Sequence, residues 1–130
     1  MLEILKNLFS KGDTENIHLP KNETHNFRLL VGKLEIGTLR CEGGIWFFKY
    51  SDEFKEQPQE YKPITEFPDL EKEYQEDFLW PFFKIRIPGL KQPAIQEIIQ
   101  QEKIDQHNEA VLLKRFGERT IANPYQLLAS

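Results

Sequence analysis

The side chains best suited to metal or nucleophilic chemistry are three histidines, His18, His25 and His107, and a single cysteine, Cys41. Zinc wants closely spaced cysteine, histidine or carboxylate ligands. His18 and His25 lie in a polar stretch without such partners, so they read as solvated loop histidines. His107 falls near a helix start and reads as exposed. One cysteine makes no internal disulfide, which suits a reducing compartment such as the cytoplasm. A free cysteine is more often a small buried hydrophobe than a nucleophile. The carboxylates Glu66, Asp69, Glu71, Glu73, Glu76 and Asp77 are numerous enough for acid–base work. That work needs a pocket that splits two pKa values, whereas a charge run is normally a solvated face. The two glycines of VGKLEIG fit neither a phosphate loop nor a dinucleotide fingerprint. The sequence holds no serine-hydrolase elbow and no kinase catalytic motif. The expectation is a chain with no catalytic, cofactor-binding or metal-binding residues, and so not an enzyme.

Composition narrows the partners. The chain has 130 residues, 39% of them hydrophobic, which suits one compact domain. Ten Phe, four Tyr and two Trp supply large rings that bury much area each. A net charge of −4 without a basic run argues against direct nucleic-acid binding, which needs clustered Lys and Arg. No apolar run approaches the roughly 20 residues that span a bilayer, so no membrane partner is expected. The opening MLEILKNLFSKG carries Glu3 and lacks a long apolar core, unlike a signal peptide. Its Leu2, Leu5 and Phe9 fit a short amphipathic helix that docks or frays.

The elements that would position any site divide the chain in two. Residues 1–26 read as a flexible or partly helical arm, and residues 27–130 as the ordered domain. FRLLV, EIGTLRC and IWFFKY are rich in strand formers. Gly32-Lys33 and the EGG of residues 42–44 supply turns, so an antiparallel meander is expected. In the second strand Ile36, Thr38 and Arg40 would share a face. Pro58, Pro63 and Pro68 make the next stretch loop, with at most an edge strand near YKPITEF. Asp69 would cap a helix through LEKEYQEDFL, Pro93 would open PAIQEIIQQ, and Asp105 would cap QHNEAVLLKRF with Gly117 as a left-handed end. Strands first and helices later give an α+β fold: a small antiparallel meander or partly closed barrel followed by short helices.

WPFFKIRIPG, residues 80–89, is the densest apolar stretch. Pro81 suits a first helical turn, and Pro88-Gly89 suits a stop. Phe78, Phe82, Phe83 and Ile85 are expected to pack this helix on the sheet. A helix so short cannot turn every ring inward, and the alternative reading sends part of the cluster outward through Ile87 and Pro88 to a partner. Trp46 alternates with Phe47 on a strand, which sends one of the two away from the core. Phe67-Pro68 is a stiff apolar loop tip that either enters a partner's cleft or closes the core edge. The candidate partner contacts are therefore Phe67, Pro68, Trp46, Ile87 and Pro88.

Several stretches together resemble the N-terminal domain of the HipA family, the Ser/Thr kinase toxins of bacterial toxin–antitoxin systems. VGKLEIGTL resembles its strand–turn–strand opening, and GGIWFFKYSDEF its hairpin running into an acidic-aromatic turn. KPITEFPD, WPFFKIRIPG and EAVLLKRFGERTIANPYQL follow in family order, from about Phe27 to Leu128. KIRIPG lacks the acidic Pro-Glu-Gly of the family, and RTIANPY replaces a glycine-rich segment. The family's ATP site, catalytic loop and metal ligands belong to a C-terminal kinase core with no counterpart in these residues. The resemblance implies a module that docks on a HipA-like Ser/Thr kinase and restrains it, with a DNA-binding antitoxin as a further member of a larger complex. The alternative it leaves open is the N-terminal half of a split kinase, needed for phosphoryl transfer.

Overall fold

The structure is a computed structural model that describes residues 23–57 and 60–130. The arm's expected helix and His18 lie outside the described residues. Strands β1 (Thr24–Val31), β2 (Leu34–Glu42) and β3 (Ile45–Tyr50) form the expected meander. The β2–β3 turn uses Gly43 and Gly44, both at positive φ (61° and 83°), which glycine adopts without a Cβ penalty. Gly32, at φ 58°, turns β1 into β2. β1 begins three residues before the expected Phe27, because Thr24 pairs with Glu42 and His25 with Cys41.

A short helix α1 (Asp52–Glu56) follows, where loop was expected. Ser51 caps it by accepting the Phe54 N–H, which satisfies one orphan donor of the first turn. The expected helix after Asp69 does not form. That stretch turns and becomes β4 (Tyr74–Glu76), an edge strand on β3, while YKPITEF carries no strand. The tertiary reason is that Tyr74 must reach Phe67, whose ring lies 5.0 Å away edge-on. Helices α2 (Pro81–Lys84), α3 (Pro93–Glu102) and α4 (Glu109–Phe116) come next, and β5 (Gln126–Ala129) closes the chain against β1. The sheet is open and all neighbours are antiparallel, in the order β4-β3-β2-β1-β5. This is the expected α+β class, with the meander extended by an unforeseen edge strand on each side.

Two end-caps differ from the sequence expectation. α4 is capped by Asn108, whose Oδ1 accepts the Val111 N–H, and not by Asp105. Gly117 sits at φ −93°, so it is no left-handed end; that role falls to Lys103, at φ 56°, after α3. Gly117 is needed for space, because a Cβ there would collide with the Leu113 carbonyl.

The core lies on one face of the sheet. Trp46, Phe48 and Tyr50 point into it from β3, and Leu39 and Cys41 from β2. Ile36 joins them although its parity is opposite. Between β1 and β2 the register slips, with Leu29 opposite Gly37 and Leu30 opposite Glu35. This bulge leaves Ile36 unpaired with β1 and rotates it inward. The expected face of Ile36, Thr38 and Arg40 is therefore broken at its first member.

Tyr50 organises the proline-rich loop. Its hydroxyl donates to the Phe67 carbonyl (2.6 Å) and accepts the Ile64 N–H (2.8 Å). Burial pushes its phenol pKa up to about 12. Tyr50→Phe leaves a buried carbonyl and a buried N–H unpaired, so it is expected to cost about 2 kcal/mol in urea unfolding, with the fold retained.

Candidate partner-binding surface

α2 is a single turn, and its length decides which of its rings are hidden. Pro81 opens it at the first position, where no N–H is missed. Side chains step round a helix by about 100° per residue. Phe83 points straight into the core at 0% exposure, which leaves Phe82 at the flank and turns Ile85 outward. Phe78, before the helix, is also outside it. Phe78 and Ile85 are half exposed, at 50% and 53%. Both were expected in the core with Phe82 and Phe83; of the four only Phe83 is fully buried. The helical geometry that excludes Ile85 was available from the positions of Pro81 and Pro88.

The five expected contacts separate. Trp46 has no exposed surface and lies on the core side, its ring 6.4 Å from Phe27. Phe47 takes the opposite face, under the Arg40 guanidinium at 4.2 Å. Phe67 is also fully buried. It stacks on Phe48 at 4.4 Å and meets Trp80 edge-on at 5.0 Å. Trp46 and Phe67 are thus corrected from partner contacts to core, because the helices and the loop cover the face they occupy. Pro68 is exposed, and Ile87 and Pro88 are half-buried, with Ile87 packed against the core.

Arg86 is the residue whose role the sequence did not show. It is only 4% exposed. Among the described residues no carboxylate bonds it. Nη1 donates to the carbonyls of Gly117 (3.1 Å) and Glu118 (3.2 Å). Nη2 donates to Asn123 Oδ1 (3.2 Å) and the Tyr125 carbonyl (3.0 Å). Burial pushes its pKa down to about 10, so it stays charged at neutral pH. The guanidinium fork thereby fastens the segment between α4 and β5 to the end of α2.

A polar cluster joins the start of β1 to the start of α4. Glu23 takes a hydrogen bond from the Asn108 side-chain amide (3.1 Å) and pairs with His25 Nε2 (2.8 Å). Cys41 is buried, and desolvation, with the charges of Glu109 and Glu23, pushes its thiol pKa up to about 11. A neutral thiol is a poor nucleophile. Among the described residues no group of three or more His, Cys, Asp and Glu is placed to hold a metal ion. His107 is exposed.

Glu109, in the first turn of α4, is buried. Desolvation raises its carboxyl above the usual range, although the Lys84 ammonium (3.7 Å) and the nearby Trp46 indole pull it down. An acid that ionises less readily in the folded chain favours folding while protonated. Its contribution is present below the unfolded value near 4.5 and is lost as pH rises through the raised folded value. Cys41 and the Glu23–His25–Asn108 group face the same corner. Glu109→Gln is therefore expected to raise the melting temperature at pH 7 and to remove this contribution to the pH dependence, as a series of thermal melts from pH 4 to pH 8 would show.

Among the described residues no helix is long and apolar enough to cross a membrane. Comparison with curated proteins finds no match. A family model described as the HipA N-terminal domain matches residues 28–122, nearly three-quarters of the chain. The match takes in β1 from Arg28 through α4 and stops short of β5. With its meander, its proline-rich loop and its one-turn aromatic helix all inside that match, the chain belongs to the HipA N-terminal domain family.

Proposed function

We propose that this chain is a non-catalytic binding module of a bacterial toxin–antitoxin system, one that docks on a HipA-like Ser/Thr kinase in the cytoplasm and restrains it. The observation that carries this reading is the pair Phe78 and Ile85, two large apolar side chains half exposed on either side of α2 in a chain of the HipA N-terminal family. Apolar anchors with a polar surround are what a binding surface needs. Lys84 and Asp77 are exposed beside them. Pro68, Ile87 and Pro88 are the further contacts in this reading. A DNA-binding antitoxin belongs to the same complex through the kinase, since the chain's charge of −4 favours no direct nucleic-acid contact.

Co-expression with any HipA-like kinase encoded beside this chain tests the reading. A stable complex with reduced phosphoryl transfer is the expected outcome. A complex with raised phosphoryl transfer would instead make the chain the N-terminal half of a split kinase. Absence of any complex would remove both.

A further inference from the structure

We infer that the face around α2 is built for a basic partner surface: the kinase subunit meets Phe78 and Ile85 with an apolar socket rimmed by lysine or arginine. This inference deepens the docking reading above and rests on it. The first observation is where the charge lies. Residues 69–77, DLEKEYQED, hold five carboxylates against one lysine. The whole chain holds 21 acidic against 17 basic residues. Outside this stretch the two signs therefore balance, and the net charge of −4 is concentrated within it.

The second observation is where the fold puts that charge. The stretch runs through β4 at the edge of the sheet, and all five carboxylates are exposed. Exposed Pro68 precedes it, and half-exposed Phe78 follows it. The Tyr74 hydroxyl accepts the Asp69 N–H (2.8 Å), which ties the Pro68 end to β4. The third observation is how the neighbouring cations are used. Lys55 pairs with Glu71 (3.3 Å), and Arg40 with Glu73 (3.8 Å). Lys72 lies over the Tyr74 ring at 4.9 Å. Lys84, beside Ile85, pairs with buried Glu109. Among the described residues no cation pairs with Asp69, Glu76 or Asp77. The two carboxylates next to Phe78 are thus left to the solvent side. A patch of one sign steers the opposite sign towards it and rejects its own. Charge also guards the free edge of a strand, but β4 is three residues long, and four of the five carboxylates lie outside it. The surface complementary to an apolar contact inside an acidic surround is an apolar socket with a basic rim.

The test is the association rate of the full chain with a purified HipA-like kinase subunit of the same genome, followed by stopped flow across a series of salt concentrations. The parent rate should fall steeply as salt is raised. Glu76→Gln with Asp77→Asn should slow association roughly tenfold at low salt, with dissociation and melting temperature little changed, because both side chains are exposed and unpaired. Glu97→Gln with Asp105→Asn removes the same charge outside the stretch and should associate at the parent rate. If the first pair associates as fast as the parent while Phe78→Ala weakens binding, the inference is wrong and the docking reading stands. If both pairs slow association equally, net charge alone matters and the inference is again wrong. If the first pair only promotes self-association, seen by light scattering, the carboxylates guard the strand edge and the inference fails. If the parent chain binds no kinase, the docking reading falls and takes the inference with it.

Discussion

Phe67→Ala is expected to cost about 3–5 kcal/mol of folding stability, the range for truncating a fully buried aromatic ring. Phe67 sits at the centre of the aromatic core. Its ring lies within 4.4 Å of Phe48, 5.0 Å of both Tyr74 and Trp80, and 6.1 Å of Phe83. Removing it empties a space bounded by β3, β4 and the start of α2, and those elements are held by pairing that prevents full collapse. The Ile64 N–H and the Phe67 carbonyl are both tied to the Tyr50 hydroxyl, so the loop cannot readily swing in to fill the gap. Urea unfolding should show a lower midpoint at an unchanged slope. A variant with parental stability and a weakened kinase complex would mean that Phe67 is an exposed anchor after all.

Arg86→Met should cost about 3 kcal/mol or more. It removes bonds from a charged donor to three backbone carbonyls and one side-chain amide oxygen, each worth roughly 1.5–3 kcal/mol when the donor is charged. The apolar replacement spares the cost of burying a guanidinium, which keeps the net loss well below the sum. The loss should be local in character. Hydrogen exchange is expected to rise first in the segment from Gly117 to Tyr125 and in β5, because Leu127 N–H donates to the Glu118 carbonyl (2.9 Å) within the same fastened unit. Arg86→Lys should recover little, since an ammonium lacks the planar fork that reaches four acceptors. Equal protection of that segment in Arg86→Met and in the parent chain would show that the fork does not hold it.

The rings of Trp46 and Phe67 are spent inside the fold. Under the docking reading proposed above, the contacts to test among the described residues are Phe78 and Ile85, with Pro68, Ile87 and Pro88. Loss of kinase binding in a Phe67 variant would therefore follow from unfolding, whereas loss in an Ile85 variant, half exposed in the fold, would not.

Much of the fold was readable from the chain because it depends on local chemistry. Gly43-Gly44 demands a tight hairpin, alternation in IWFFKY demands a strand, and Pro81 and Pro93 each open a helix at the position where proline costs nothing. Family order across the motifs needed no coordinates either. What the sequence alone did not decide were the features that depend on distant partners. The acidic stretch before Phe78 has a helical composition, yet Tyr74–Glu76 pairs with β3 because the edge was open and Phe67 waited beside it. Ile36 changed faces through one slipped register. β5 exists because β1 had a free edge, which no pattern within QLLA announces. Arg86 reads as a surface charge beside a helix stop and became a buried clasp only when residues more than thirty positions away brought carbonyls to it. Local conformational preference acts over a few residues and is written in their order, whereas burial is settled by which segments meet, and only the folded chain sets that.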